Sequence, residues 1–357
     1  MEFYLEQFSQ SFNLPDYMTF IILYLSEFII VSLFLLLMSF VVIMAENKFC
    51  ILLSKNNVNI HSCCKSSLTI IADTIKQFFK ENIMPQNADI ITFIVAPIFV
   101  VLPILIICLM LPYNTDFCAL KSESGLVILL SIFFIQIFGM ILCAISSGNK
   151  FSQINAARHC LQIISSGVPT ILVIIGIAVL SGTLSLSQIV ISQAKYDILS
   201  WYIFPSLLGF IIFFVTGLSL LNKSPLCFTD KNSDYKAEYS GINYTILKLS
   251  EYSSLFILCT YMATIFMGGF LSPFGIYVAD WFATNNFYYL ILTVEQIFWL
   301  LSKTAVLVLL ITLMKISLPK YTPENIVAFS WKYLIPLSVI NLIIICVIKM
   351  SLGGFYV

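Results

Sequence analysis

Charge is what this 357-residue chain has least of: 10% of its residues are Asp, Glu, Lys or Arg, where a water-facing domain carries about 25%. Lys plus Arg and Asp plus Glu are equal at 18 each, so no basic excess exists to bind a nucleic-acid backbone. Arginine is reduced to Arg158 and histidine to His61 and His159. Two histidines so far apart in the chain argue against paired-His haem ligation within the membrane. There is no G-x-x-x-x-G-K-[ST], no G-x-G-x-x-G and no H-E-x-x-H, so nothing points to chemistry carried by the chain alone. The ten Cys form no C-x-x-C pair, and several lie inside apolar runs (Cys108, Cys143, Cys259, Cys346). Cys63-Cys64 with His61 lacks the further ligands zinc needs, so the thiols read as small apolar residues and no metal site is expected.

What is abundant is apolar and aromatic: 60% hydrophobic, 31 Phe, and a mean hydropathy of +0.99. This is an integral membrane protein. A hydrocarbon core about 30 Å thick needs roughly 20 apolar helical residues. Such runs fall at about 18–44, 90–112, 125–146, 168–189, 200–221, 253–275, 291–314 and 333–350, the seventh interrupted by Glu295 and Lys303. They are too long and continuous for the strands of a membrane barrel. The expected fold is an all-α polytopic membrane protein of about eight transmembrane helices plus an in-plane amphipathic helix. It forms one domain over 1–357: a first helix at 17–44, a loop at 47–89, helices two to five over 90–221, a polar loop at 222–250, and helices six to eight over 251–350. Acidic Glu2 and Glu6, with no basic residue before the first run, do not fit a cleavable signal, so the first helix is expected to be retained.

Lysine distribution orients the spans. Lys48, Lys55, Lys65, Lys76, Lys80, Lys150, Arg158, Lys223, Lys231, Lys236, Lys248, Lys315, Lys320 and Lys332 fall on one side. Only Lys121, Lys195, Lys303 and Lys349 fall on the other, which marks the first side as cytoplasmic or matrix. Within the 47–89 connection, Leu68, Ile71, Ala72, Ile75, Phe78 and Phe79 recur at helical spacing against Asp73, Lys76, Lys80 and Glu81. The pattern predicts an amphipathic helix over 66–81, lying along the membrane surface. The length and shared side of the two connections favour a docking surface for soluble partners. Glu27, Glu46, Glu251, Glu295 and Lys303 lie at or near membrane depth, where ionisable groups usually face a cavity, a proton route or a partner.

Several fragments resemble a known family. Ala45-Glu46-Asn47-Lys48, then Ile71-Ala72-Asp73-Thr74-Ile75-Lys76 and Phe79-Lys80-Glu81, are similar to its "ERK" and "IADxxKLxxKE". Gly148-Asn149-Lys150-Phe151, Ala157-Arg158 and Gln162-Ile163-Ile164-Ser165 are similar to "SNSKYA…LRAxAQxISYE". Asn222, Pro225 and Ala237-Glu238-Tyr239-Ser240-Gly241 follow "ETNRAPFD…TEYSG", and Ser250-Glu251-Tyr252 follows "AEY". Leu318-Pro319-Lys320-Tyr321 and Trp331-Lys332-Tyr333-Leu334-Ile335-Pro336-Leu337 match "LPRYRYDQLMxLxWKxLLPL". In this order they cover about 40–345, and the chain thereby resembles the subunit 1 (H-type) family of NADH:quinone oxidoreductase, respiratory complex I.

The resemblance implies an eight-helix, non-redox subunit that frames a quinone chamber and couples quinone reduction to proton translocation. It places Glu46, Asn47, Asp73, Lys76, Asn222, Lys223, Pro225, Glu238 and Lys315 around the chamber, and Glu238, Glu251 and Arg158 on a proton path. It implies ubiquinone as substrate, lipids, no covalently bound cofactor, and partners among both the hydrophilic-arm and the neighbouring membrane subunits. The chain departs from the family where carboxylates are expected, at Gly167, Leu220 and Cys227, and water or a neighbouring subunit is expected to fill the gap beside Gly167. Family arginines stand here as Lys223, Lys315, Lys320 or Asn47, and Lys lacks the planar fork of Arg. "RKGPN" becomes Asn56-Asn57-Val58-Asn59-Ile60. The Arg-poor, Phe- and Cys-rich composition favours a mitochondrial inner membrane over a bacterial one. A stand-alone carrier, or a structural anchor with a decayed relay, are the competing readings.

Overall fold

The structure is a computed structural model that describes residues 16–53, 72–114, 118, 120, 122–194, 197–223, 226, 238–275, 277, 288–319 and 321–351. Its long helices are α1 (Asp16–Leu53), α2 (Ile90–Met110), α3 (Gly125–Ser146) and α4 (Lys150–Ser181). Two shorter helices follow, α5 (Leu186–Ser192) and α6 (Leu207–Leu220), then α7 (Gly241–Phe266) and α8 (Tyr288–Ser317). The last crossing is α9 (Pro323–Phe329), a π turn at Ser330–Leu334, and α10 (Ile335–Ser351). Among the described residues, seven helices are long and apolar enough to cross a membrane, α9 to α10 counting as one, and α6 is shorter.

The fifth expected span is therefore made differently from the rest. At 14 residues α6 rises about 21 Å. Ahead of it runs a 3₁₀ turn at Asp197–Ser200 and irregular backbone through Ser206, packed under the protein by Trp201 (6% exposed) and Tyr202 (0%). Ile203 N–H reaches Phe266 O at 3.0 Å, and Gln193 Nε2 bonds the carbonyls of Thr264 and Ile265. Irregular backbone at membrane depth is tolerated only where protein satisfies it in this way.

Both polar connections are shorter than the sequence suggested. α1 continues past 44 to Leu53, because Glu46, Asn47 and Lys48 include no helix breaker and Glu46 finds a cation. α7 starts at Gly241, not 251, with Thr245, Leu247 and Ser250 already buried in its first half. Of the helix expected over 66–81, residues 72–78 are helical and the chain turns at Phe79 and Lys80; 66–71 lie outside the described residues. Glu295 and Lys303 do not break α8. At the last crossing Pro336 has no N–H for the carbonyl four residues back, and the helix widens into a π turn, with Ile335 N–H bonding Ser330 O.

α7 is the hub. Every residue from Ser253 to Phe266 is buried, whereas α1 and α10 expose rows such as Ile29, Leu33 and Leu37 or Ile340, Ile343 and Val347. The hub satisfies its hydroxyls internally: Ser250, Ser253, Ser254, Thr260 and Thr264 each donate to the carbonyl three residues back. α2 and α3 approach backbone to backbone, because a Cβ on Gly139 would sit 2.8 Å from the Phe99 carbonyl.

Candidate functional site

The polar residues of the positively charged connections converge at one end of this bundle. Glu46, 6% exposed near the end of α1, pairs with Lys315 in the last turn of α8. Asn47 is half-buried beside it and Lys48 exposed. At the end of α6, Asn222 takes a left-handed conformation (φ 49°), which Asn tolerates better than most residues. That reversal lets Lys223 N–H bond Leu218 O at 3.1 Å, closing the helix in a Schellman-like turn. It also places the Lys223 ammonium 3.7 Å from Glu251 and over the Tyr252 ring at 4.5 Å.

A second cluster ties the 72–89 segment to the mouth of α7. Glu238 accepts from Asn149 Nδ2 at 2.9 Å, and Asn149 caps α4 by accepting from Phe151 N–H. Tyr239 stacks on Phe93 (4.1 Å, 2°), with its hydroxyl 3.0 Å from Ser146 Oγ. Burial, and then the nearby Cys143, push the Tyr239 phenol above its ordinary range, so it stays protonated. Ser240 Oγ accepts from Ile83 N–H and donates to Glu81 O, while Asn82 Oδ1 accepts from Ile242 N–H. Gly148 (φ 69°) is pressed so closely on Asn87 that a Cβ would lie 2.7 Å from its carbonyl carbon. Each residue of Glu238-Tyr239-Ser240-Gly241 thus has a partner across the joint: a Cβ on Gly241 would strike Lys80 O at 2.6 Å.

The remaining candidates are less enclosed. Asp73 and Lys76 are exposed around buried Thr74, and beside them Ile75 (53%), Phe78 (46%) and Phe79 (86%) leave an apolar face uncovered. Arg158 is exposed on α4 and, among the described residues, joins none of the other candidates by hydrogen bond or ion pair. Pro225 and Cys227 lie outside the described residues.

Two site residues escaped the sequence reading. His159 is buried with Nε2 3.4 Å from Leu220 O and feels the charge of Glu251. Gln162, fully buried, shares the two N–H groups of Nε2 among Ser219 O, Ser219 Oγ and Leu226 O at 2.8–3.0 Å, holding the α6 end against α4. The signal was a polar stripe along α4, Ser152, His159, Gln162, Ser166 and Thr170, all buried on one face. Beside Gly167 the nearest side chain is Phe134. Its ring lies 3.2 Å from where a Cβ would stand, and with Leu220 it lines an apolar cavity of about 20 Å³. Within this chain, an aromatic ring therefore occupies part of the space beside Gly167.

A helical bundle with charge gathered at one end and apolar faces elsewhere defines the class, a multi-pass membrane protein with one polar end. The sequence model of the NADH dehydrogenase family matches residues 25–346, and the chain belongs to that family. It is 32% identical over 286 residues to the H-type subunit of NADH-quinone oxidoreductase from Bacteroides thetaiotaomicron, covering 78% of this chain and 77% of that protein. The corresponding NADH-quinone oxidoreductase protein of Bacillus cytotoxicus is 30% identical over 79% of this chain and 80% of its own length. NADH-ubiquinone oxidoreductase chain 1 of Cyanidium caldarium is 29% identical over 80% and 79%.

Proposed function

We propose that this chain is the core membrane subunit of NADH:quinone oxidoreductase that frames the membrane-side mouth of the quinone chamber and couples quinone reduction to proton translocation. The observation that carries the reading is the polar end itself. Glu46–Lys315, Lys223–Glu251 and Asn149–Glu238 gather beside an uncovered apolar face at Ile75, Phe78 and Phe79. A quinone needs a wide apolar corridor for its tail and a few polar groups near its head. The apolar face and the charged joints supply both on one side of the bundle. The chain itself binds no redox centre in this reading. Electrons arrive from partner subunits of the hydrophilic arm, which cover this end, while neighbouring membrane subunits pack on the apolar flanks. The composition favours a mitochondrial inner membrane.

Glu251 and His159 are the titratable groups facing the buried α4–α6 junction, and Glu251 is the proton-carrying candidate there. Glu46→Ala or Asp73→Ala, made in the assembled complex, lowers quinone reductase turnover while assembly survives. Glu251→Gln lowers protons moved per quinone more than it lowers quinone affinity. Unchanged quinone kinetics in intact Glu46→Ala and Asp73→Ala complexes would contradict the chamber reading. A stand-alone carrier would purify alone or as a homo-oligomer, whereas this chain should copurify with many different polypeptides.

A further inference from the structure

The opposite end of the bundle holds a second site. Where α3 begins and α4 and α10 end, a cleft of about 800 Å³ is lined by Glu123, Val179, Thr183, Ser185 and Lys349. A neighbouring hollow of about 230 Å³ shares Glu123 and Ser185 with it. Helix ends of three membrane spans meet here, so the cleft lies at the level of lipid headgroups.

Its chemistry is of both signs and incompletely satisfied. Lys349 Nζ donates to Val179 O, and Gly182 (φ 72°) lets the lysine cross the α4 terminus, since a Cβ there would approach Nζ at 3.4 Å. An ammonium carries three donors, and among the described residues Val179 takes one. The hydroxyl oxygens of half-buried Thr183 and Ser185 have no hydrogen-bond partner among the described residues. A hydroxyl left without a partner is costly, and the cleft both residues line is where a partner can come from. The exposed Glu123 carboxylate makes no hydrogen bond or ion pair among the described residues. One and two turns down α4 from Val179, Ile175 (44%) and Ile171 (42%) offer an uncovered apolar track into the membrane.

We propose that this cleft seats the headgroup of a zwitterionic aminophospholipid. The phosphate bonds Lys349 and the Thr183 and Ser185 hydroxyls, the headgroup ammonium pairs with Glu123, and an acyl chain follows Ile175 and Ile171. A purely anionic lipid would meet Lys349 but be repelled by Glu123, and a free phosphate would leave the track empty. This inference is independent of the quinone reading.

The test uses the chain in its membrane assembly, reconstituted with photoactivatable phosphatidylethanolamine or phosphatidylglycerol, with adducts mapped on the polypeptide. Phosphatidylethanolamine should label 171–188 several-fold more than phosphatidylglycerol. Glu123→Gln should erase that preference, and paired Thr183→Val and Ser185→Ala should lower labelling by both lipids with the α4 cap untouched. Equal labelling of the wild type by both lipids would overturn the proposal. So would an unchanged preference in Glu123→Gln, full competition by free phosphoethanolamine, or a partner polypeptide crosslinked at Gln188 in place of lipid.

Discussion

The two ends of the bundle solve the same problem, a cation in a poor solvent, in opposite ways. At the charged end Lys315 and Lys223 pair with carboxylates, Glu46 and Glu251, on other helices. Nearer the opposite end the two described lysines, Lys303 and Lys349, pair with backbone. Lys303, 5% exposed in α8, donates to the carbonyls of Met267, Gly269 and Leu271 at 2.7–2.9 Å and lies over the Trp201 ring at 4.3 Å. Lys349 donates to Val179 O. A lysine seated on carbonyls braces a helix end through its own N–H groups. A lysine facing a carboxylate forms a pair whose strength changes when a proton or a charged neighbour arrives. The difference assigns response to one end and anchoring to the other.

Removing the brace gives the largest expected effect. Lys303→Met leaves three carbonyls of the turn after α7 without a donor, a loss of about 3 kcal/mol or more. The yield of assembled complex and its thermal midpoint should both fall, and a near-normal midpoint would break the contrast. Next comes Gly148→Ala, which must strain a positive φ and push Asn87 away, at about 1–3 kcal/mol. Because that joint holds the 72–89 segment, quinone turnover should drop along with the midpoint.

The carboxylate pairs should behave in the reverse sense, small in stability and large in activity. With the Lys315 side chain 40% exposed, a double-mutant cycle of Glu46→Gln and Lys315→Met should return less than about 1 kcal/mol of coupling. Turnover should fall well beyond that. The smallest effect belongs to Tyr239→Phe, which keeps the Phe93 stack and loses the Ser146 bond, about 1 kcal/mol. Its phenol has a raised pKa when folded, so its contribution is complete below the unfolded value near 10 and declines as pH rises above that. Thermal midpoints at neutral and alkaline pH check this.

Long apolar runs made most of the helices legible, since twenty such residues leave few alternatives. What the sequence hid was length and pairing. α1 overran its expected end because Glu46 and Lys48 suit a helix as well as a loop, and only the partner in α8 shows that Glu46 stays helical and enclosed. α6 fell short because apolar residues at 200–206 also suit buried irregular backbone, a choice set by Gln193 and the end of α7. Of the site, Glu46 and Glu251 were named from their depth in the membrane and Lys315, Lys223 and Glu238 from resemblance, but not who meets whom. His159 and Gln162 were missed because their polar stripe matters only once α6 lies against it.

The central claim is that the charged end, and not the braced end, faces the quinone. A photoreactive quinone with a long isoprenoid tail, added to the assembled complex during turnover, tests it directly. Adducts on this chain should map to 46–53, 72–83 and 238–251, and should diminish when excess unlabelled quinone is present. Adducts confined to 171–188 or 267–277, or labelling of partner chains with none on this one, would contradict the account.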